Sequence, residues 1–324
     1  MLKKFEKLFA LVLAGGMSLF FVIAMAECAD YPNKTIKIVV PANAGSGEDV
    51  EARGISPFLH EVLGVNVLIE NQPGAGGKIA LERFQKTEPD GYTIICNNLP
   101  KSIIYEHMYK VAFKTKDFTP IFAWSLSYNM LVVHAGSWKT LDEFLNAAKA
   151  KTMAGGLSAI GGVTHLASLA AIDVFGLKVN WVPYEGAVGS LMALAGKHIN
   201  FSIVTSTTAI PLIQAGIIRP LVIFSETRDT LFPDVPTSKE LGYAVPPVIT
   251  VRGVQAPPKT PPSIVKVLEE ACFKAIKDPA YVGWADKRKM VLNPMSSRQY
   301  FDWIVKEAYP TVEKYKYIMS EEKK

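Results

Sequence analysis

The chain has 324 residues, 49% of them hydrophobic, and carries 35 Lys plus Arg against 30 Asp plus Glu, a formal charge of +5. That mild balance, without a basic run, gives no footing for nucleic acid, and the length is enough to bury one large or two medium cores. The three cysteines (Cys28, Cys96, Cys272) are odd in number and lack CxxC spacing, so neither a disulfide framework nor a metal knuckle is indicated; one pair could form in an oxidising compartment, but Cys96, inside an apolar run, reads as a small core residue.

The first element is a secretory signal over residues 1–26: Lys3, Lys4 and Lys7, an apolar stretch Leu8 to Ala24, then Ala24-Met25-Ala26 before the cleavage point. The stretch is near the lower limit for a membrane span and is interrupted by Gly15, Gly16 and Ser18, which favours a cleaved signal over a retained anchor. Cys28 raises lipid anchoring, but Glu27 stands where a small residue belongs. Cleavage removes three lysines and one glutamate, leaving 298 residues of charge +3 in a periplasmic setting.

Apolar runs bounded by Gly, Pro or Asn then alternate with segments of helical period, the pattern of an α/β protein. The predicted strands are Thr35 to Val40, Val65 to Ile69, Tyr92 to Cys96, Met130 to His134, Lys151 to Gly155, Val179 to Pro183, Asn200 to Thr205 and Arg219 to Phe224. Predicted helices include Asp49 to Leu63, stopped by Gly64, and Thr140 to Lys149, with a capping pattern from Thr140 to Glu143. Pro262 to Lys277 and Ser297 to Lys316 follow as longer amphipathic helices. The Pro-rich stretch Phe224 to Pro262 reads as a return crossing. The expected architecture is therefore two lobes, 27–128 plus 225–324 and 129–224, each a mainly parallel sheet flanked by helices, with a cleft between them.

Two glycine clusters each follow a predicted strand and precede a predicted helix: PANAGSGED (Pro41 to Asp49) and QPGAGGK (Gln72 to Lys78). Such a junction aims free backbone amides and a positive helix end at one spot, which suits an anion. In the first, Asn43, Ala44, Gly45, Ser46 and Gly47 allow close backbone approach; an ordinary turn capped by Asp49 is the alternative, and the loop alone does not decide. Asp49, four residues before Arg53, reads as structural. SAIGGVTH (Ser158 to His165) is the counterpart in the middle lobe, where Thr164 and His165 either donate to a carboxylate or serve the local backbone.

Nucleotide and hydrolase motifs fail. GAGGK lacks the magnesium-holding hydroxyl, since Ile79 occupies that position, and no GxSxG elbow surrounds Ser46, so a Ser46, His165, Asp49 triad has little support. The remaining histidines have no metal spacing, and no cofactor or metal is expected.

The blocks YPNKTIKIVVP, GSGEDVEAR, IENQPGAGG, EPDGYTI, DFTPI and WVPYEGA occur in an order that resembles the substrate-binding proteins of tripartite tricarboxylate transporters, the Bug family of periplasmic solute receptors, over nearly the whole mature chain. The resemblance implies a two-lobed periplasmic binding protein, non-catalytic, that closes on a small carboxylate and hands it to an integral-membrane permease, as a monomer. It implies ligand contacts from Asn43, Ala44, Gly45, Ser46, Gly47 and Asp49 in one lobe and from Ala159, Gly161, Gly162, Thr164 and His165 in the other, with Asn97, Asn98, Thr205 and Ser206 lining the same cleft. The chain departs from the family pattern at Ala44-Gly45-Ser46, at Gly162 and at Val204, where family members often carry Asp, and this points toward a simple or aromatic carboxylate rather than an amino acid. Sensing in place of transport stays open on the same fold, as does a periplasmic hydrolase, and whether Trp124, Arg252 or Tyr184 reaches the cleft is undecided.

Overall fold

The computed structural model describes residues 31–157, 161–184 and 186–321, whose strands form two separate sheets. In chain order the elements of the first sheet are β1 (Ile36–Val40), β2 (Val67–Asn71), β3 (Thr93–Leu99), β4 (Thr119–Ser127), β10 (Thr250–Ala256) and β11 (Val291–Met295). The second contains β5 (Asn129–His134), β6 (Met153–Leu157), β7 (Val179–Pro183), β8 (Phe201–Thr205) and β9 (Ile218–Phe224). The helices are α1 (Gly47–Leu63), α2 (Lys78–Phe84), α3 (Lys101–Met108), α4 (Leu141–Ala150), α5 (Val163–Phe175), α6 (Ala187–Ala195), α7 (Ser206–Gln214), α8 (Pro262–Ile276), α9 (Pro279–Lys287), α10 (Ser297–Trp303) and α11 (Tyr309–Glu321).

The first sheet runs β11-β4-β10-β3-β1-β2 and the second β7-β6-β8-β5-β9. Both are mixed where mainly parallel sheets were expected. β1 pairs in parallel with β2 and β3, but β10 runs antiparallel to β3 and β4. In the second sheet β6 is parallel to β7 and β8, while β5 is antiparallel to β8 and β9. The cause is the crossing: β4 passes through the single residue Tyr128 into β5, and β10 brings the chain back, so the strands at the crossing oppose the βα units.

Burial on both faces explains the strand composition. Ile36, Ile38 and Val40 of β1 meet Ala52, Ile55 and Leu59 of α1 on one side, while Val39 points to the other, against Leu81 and Phe84 of α2. α1 closes on Gly64 in the left-handed conformation, and Thr140 Oγ1 accepts from the Glu143 amide at 3.2 Å to start α4, both as predicted.

Three strands escaped prediction. β10 contains Arg252, Gly253 and Gln255 and so lacks an apolar run, yet it lies mid-sheet. Gly253 is required there, because a Cβ would stand 2.2 Å from the Phe122 carbonyl oxygen at the irregularity in the β10–β4 ladder. β11 is short and contains Pro294, and β4 begins with Thr119-Pro120. β3 also continues beyond Cys96 to Leu99, so Asn97 and Asn98 lie inside a strand rather than past it.

The predicted helix Ser297 to Lys316 is divided into α10, a π turn at Ile304–Ala308, and α11. Pro310 has no amide to offer the carbonyl of Lys306, and the turn widens ahead of it. Val312 and Tyr315 of α11 join a hydrophobic cluster with Leu166 and Ala170 of α5, so the final helix packs on an element of the second sheet. Among the described residues no helix is long and apolar enough to cross a membrane, and Cys96 and Cys272 are buried free thiols.

Candidate ligand-binding site

The first glycine loop is held from within. Ser46 caps α1, its Oγ accepting from the Asp49 amide at 3.3 Å, and the Asp49 carboxylate accepts from the Gly45 amide at 2.8 Å and from Arg53 Nε at 2.9 Å. Arg53 continues to Asn71 Oδ1 at 2.8 Å, and Asn71 donates to the Ala42 carbonyl at 3.2 Å. Burial pushes the Asp49 carboxyl up, but the Gly45 amide, Asn71 and Arg53 outweigh it and hold it below the usual carboxylate range. Asp49 is thus committed to shaping the loop, while Asn43, Ala44, Gly45 and Gly47 stand exposed and Ser46 half-buried.

The second cluster meets this loop at its first residue, where a Cβ on Gly77 would stand 2.4 Å from the Pro41 carbonyl oxygen, and is itself tied to α3. Tyr105 donates to the Gly76 carbonyl at 3.1 Å, and the Lys78 ammonium lies 3.4 Å from the centre of the Tyr109 ring.

In the middle lobe Ala159 lies outside the described residues. Gly161 donates to His165 Nδ1 at 3.0 Å, so that nitrogen is an acceptor and His165, fully buried, organises its own turn. The N-cap of α5 is Gly162, not Thr164, and α5 has neither a capping side chain nor an acid in its first turn. A Cβ on Gly161 would stand 3.0 Å from Met108 Sδ and 3.5 Å from the Tyr109 hydroxyl, which brings this loop against the end of α3 from the other sheet.

Ser46, Asp49 and His165 do not form a relay: each is engaged in its own loop by the bonds above. Asn97 is fully buried, donating to Gln255 Oε1 at 2.8 Å and Ser102 Oγ at 3.2 Å. Asn98 sits across the ladder from Arg252. Ser206 is also buried and donates to Asp229 at 3.0 Å; Thr205 ends β8 and shares a 2.7 Å hydrogen bond with Thr208. Val204 is inside the core of the second sheet and Tyr184 packs on it, while Trp124 is buried in the core of the first.

Gly47 of the first loop and Thr207 and Thr208, next to Thr205, together line a cavity of about 260 Å³ with Ser127, Arg252 and Arg288. Beneath it is a buried charge network: Arg252 Nη1 to Glu51 Oε1 at 2.6 Å, Trp124 Nε1 to Glu51 Oε2 at 2.9 Å, and Lys101 to Glu48 at 2.5 Å. Burial opposes the charge on Arg252 and on Lys101, but the paired acids prevail and raise both above their usual values, so both stay cationic. Sequence reasoning missed Glu48, Glu51 and Lys101 and left Arg252 and Trp124 undecided. The signal was present: Glu48 lies on the same helical stripe as Ala52, Ile55 and Leu59, and an acid on a buried stripe requires a cation.

Two α/β lobes joined by crossing strands, each with a glycine loop that leads from a strand into a helix, define the class of two-lobed binding proteins. Residues 52–322 match the tripartite tricarboxylate transporter family receptor, and the chain belongs to that family. Bordetella pertussis BugT is 30% identical over 270 residues, 80% of this chain and 82% of BugT. A TctC solute binding protein from Polaromonas superposes with a TM-score of 0.77 at 28% identity, covering 90% of this chain and 99% of that one. An R. palustris protein with adipate gives the same TM-score at 25% identity and the same coverage.

Proposed function

We propose that this protein is a periplasmic receptor that captures a small carboxylate between its lobes, closes on it, and delivers it to the membrane permease of a tripartite tricarboxylate-type system. The observation that carries this reading is the pair of helix starts at glycine loops, α1 after Ser46 and α5 after Gly162. The α5 start has neither a capping side chain nor an acid in its first turn, and in the first loop, where Asp49 takes the Gly45 amide and the Asn43 carbonyl takes that of Ser46, the first-turn amides of Gly47 and Glu48 are left for a ligand. Fixed dipoles of this kind hold an anion without a dedicated cation. The adipate found with the R. palustris neighbour supports the same ligand class.

In this reading Asn43, Ala44, Gly45, Ser46 and Gly47 contact the solute from the first lobe and Ala159, Gly161, Gly162 and Thr164 from the second. Asp49 and His165 set the shape of the two loops. The first lobe comprises 27–128 plus 225–324 and the second 129–224, with 1–26 removed on export. The receptor acts as a monomer, without cofactor and without catalysis.

A thermal-shift screen of mono-, di- and aromatic carboxylates tests this function. A ligand at a hundred times its Kd contributes about 2.7 kcal/mol to apparent stability, so a true ligand raises the midpoint by several degrees. A flat response to every carboxylate, with a shift from an uncharged or cationic solute, would refute it.

A further inference from the structure

We propose that Glu51 is a positioning residue for lobe closure: it ties the helix start that carries the first glycine loop to both strands through which the chain passes between the sheets, so that contact with a solute and the angle between the lobes are set together. The solute half of this inference rests on the receptor reading above.

Glu51 lies one turn after Gly47 in α1, and its buried carboxylate is divided between two strands. Oε2 accepts from Trp124 Nε1 at 2.9 Å and from Ser125 Oγ at 2.5 Å, both on β4, while Oε1 accepts from Arg252 Nη1 at 2.6 Å on β10. Ser125 and Arg252 face each other across the antiparallel ladder. Ser125 is three residues ahead of Tyr128, where β4 leaves for the second sheet, and Arg252 is the third residue of β10, by which the chain has returned. One side chain therefore holds the outgoing and the returning strand at their points of exit and entry.

The loop meets the same point from its other side. A Cβ on Gly47 would stand 3.2 Å from Arg252 Nη2, so the glycine that opens α1 lies against the guanidinium that Glu51 orients. Glu48, three residues before Glu51 and on the same face of α1, accepts from Lys101 Nζ at 2.5 Å at the start of α3. At the far end of α3, Met108 meets Gly161 in the second-lobe loop. The first two turns of α1 are thus bonded to β4, β10 and α3, three elements that lead to the second lobe or touch it.

Stability alone does not call for an acid at this position. Apolar side chains of equal volume would serve as well as a buried ion pair, whereas hydrogen bonds from three donors accept one arrangement of their partners. A solute that draws on the Gly47 end of α1 cannot shift that helix without β4 and β10 unless these bonds break. Contact on the loop then acts on the crossing strands, which is what a ligand must do to bias the lobe equilibrium.

The test is double electron–electron resonance on the mature chain, with spin labels at Lys149→Cys in α4 of the second lobe and Lys274→Cys in α8 of the first, and with Cys28→Ser; Lys149 and Lys274 are exposed, and Cys96 and Cys272 are buried. Without ligand, the distance distribution should widen about twofold or more in Glu51→Gln, whose one amide oxygen cannot serve both strands, and by less in Ser125→Ala, which removes one donor and strands no charge. Ile55→Val, a core change on the same helix, should leave the width of wild type. Adipate is the probe of coupling: calorimetry should give a dissociation constant at least about tenfold higher in Glu51→Gln than in wild type, with circular dichroism and urea unfolding verifying the fold. Unchanged widths in Glu51→Gln and Ser125→Ala, equal widening in Ile55→Val, or equal adipate affinity in wild type and Glu51→Gln overturns the proposal. If Glu51→Gln fails to fold, Ser125→Ala decides by the same two readouts. Failure of adipate to bind wild type counts against the carboxylate reading, and the distance distributions then decide the role of Glu51 by themselves.

Discussion

Asp49 and Glu51, two residues apart near the start of α1, show two ways an acid can shape the surroundings of a glycine loop. Asp49 ties Gly45 to Arg53, and its lowered pKa means that its contribution to stability is present above the unfolded carboxylate value of about 3.9 and is lost as pH falls through the lower folded value. In urea unfolding, wild type should therefore exceed Asp49→Asn by a constant margin from pH 7 to about pH 5, with the margin shrinking below about pH 4. A margin unchanged down to pH 2.5 would contradict this role. Glu51 is different, because its charge is buried: its side chain is 7% exposed and that of its partner Arg252 12%. Glu51→Ala strands the guanidinium and should cost about 3–5 kcal/mol, whereas the double change Glu51→Met with Arg252→Met should cost clearly less. Equal losses in denaturant titrations of the two variants would show that the pair is not the reason.

The elements carry the site because each glycine loop is the hinge between a buried strand and a helix. Gly45, at φ +81° with nothing within 4 Å of a Cβ, is limited by backbone conformation alone. Gly45→Val should cost about 1–3 kcal/mol in strain, leave the fold intact by circular dichroism, and weaken ligand binding at least tenfold. Retained affinity in a folded Gly45→Val chain would reduce the loop to scaffolding. Most elements were legible from periodicity: β7 was predicted to the residue, and the ends of α1 and α4 followed from Gly64 and Thr140. β10 was not, because its sheet position comes from pairing with β3 and β4 while its own residues, Arg252, Gly253 and Gln255, serve a charge network, a close approach and a buried hydrogen bond. The glycine loops were legible for the same local reason. The cavity with Arg252 and Arg288 was not, since its walls come from 47, 127, 207, 252 and 288, brought together only by the two crossings.

At the scale of the molecule, the two sheets are linked through Tyr128 and through the return from β9 to β10, and α11 crosses to pack on α5. In the proposed reading these connections form the hinge, and a ligand that touches both lobes favours the closed arrangement. Small-angle X-ray scattering of the mature chain, with and without a saturating amount of the carboxylate that gives the largest thermal shift, measures that motion directly. The radius of gyration should fall on saturation in wild type and stay at the unliganded value in Gly45→Val at the same concentration. A carboxylate that binds wild type stoichiometrically and leaves the radius of gyration unchanged would contradict closure on an anion as the basis of function.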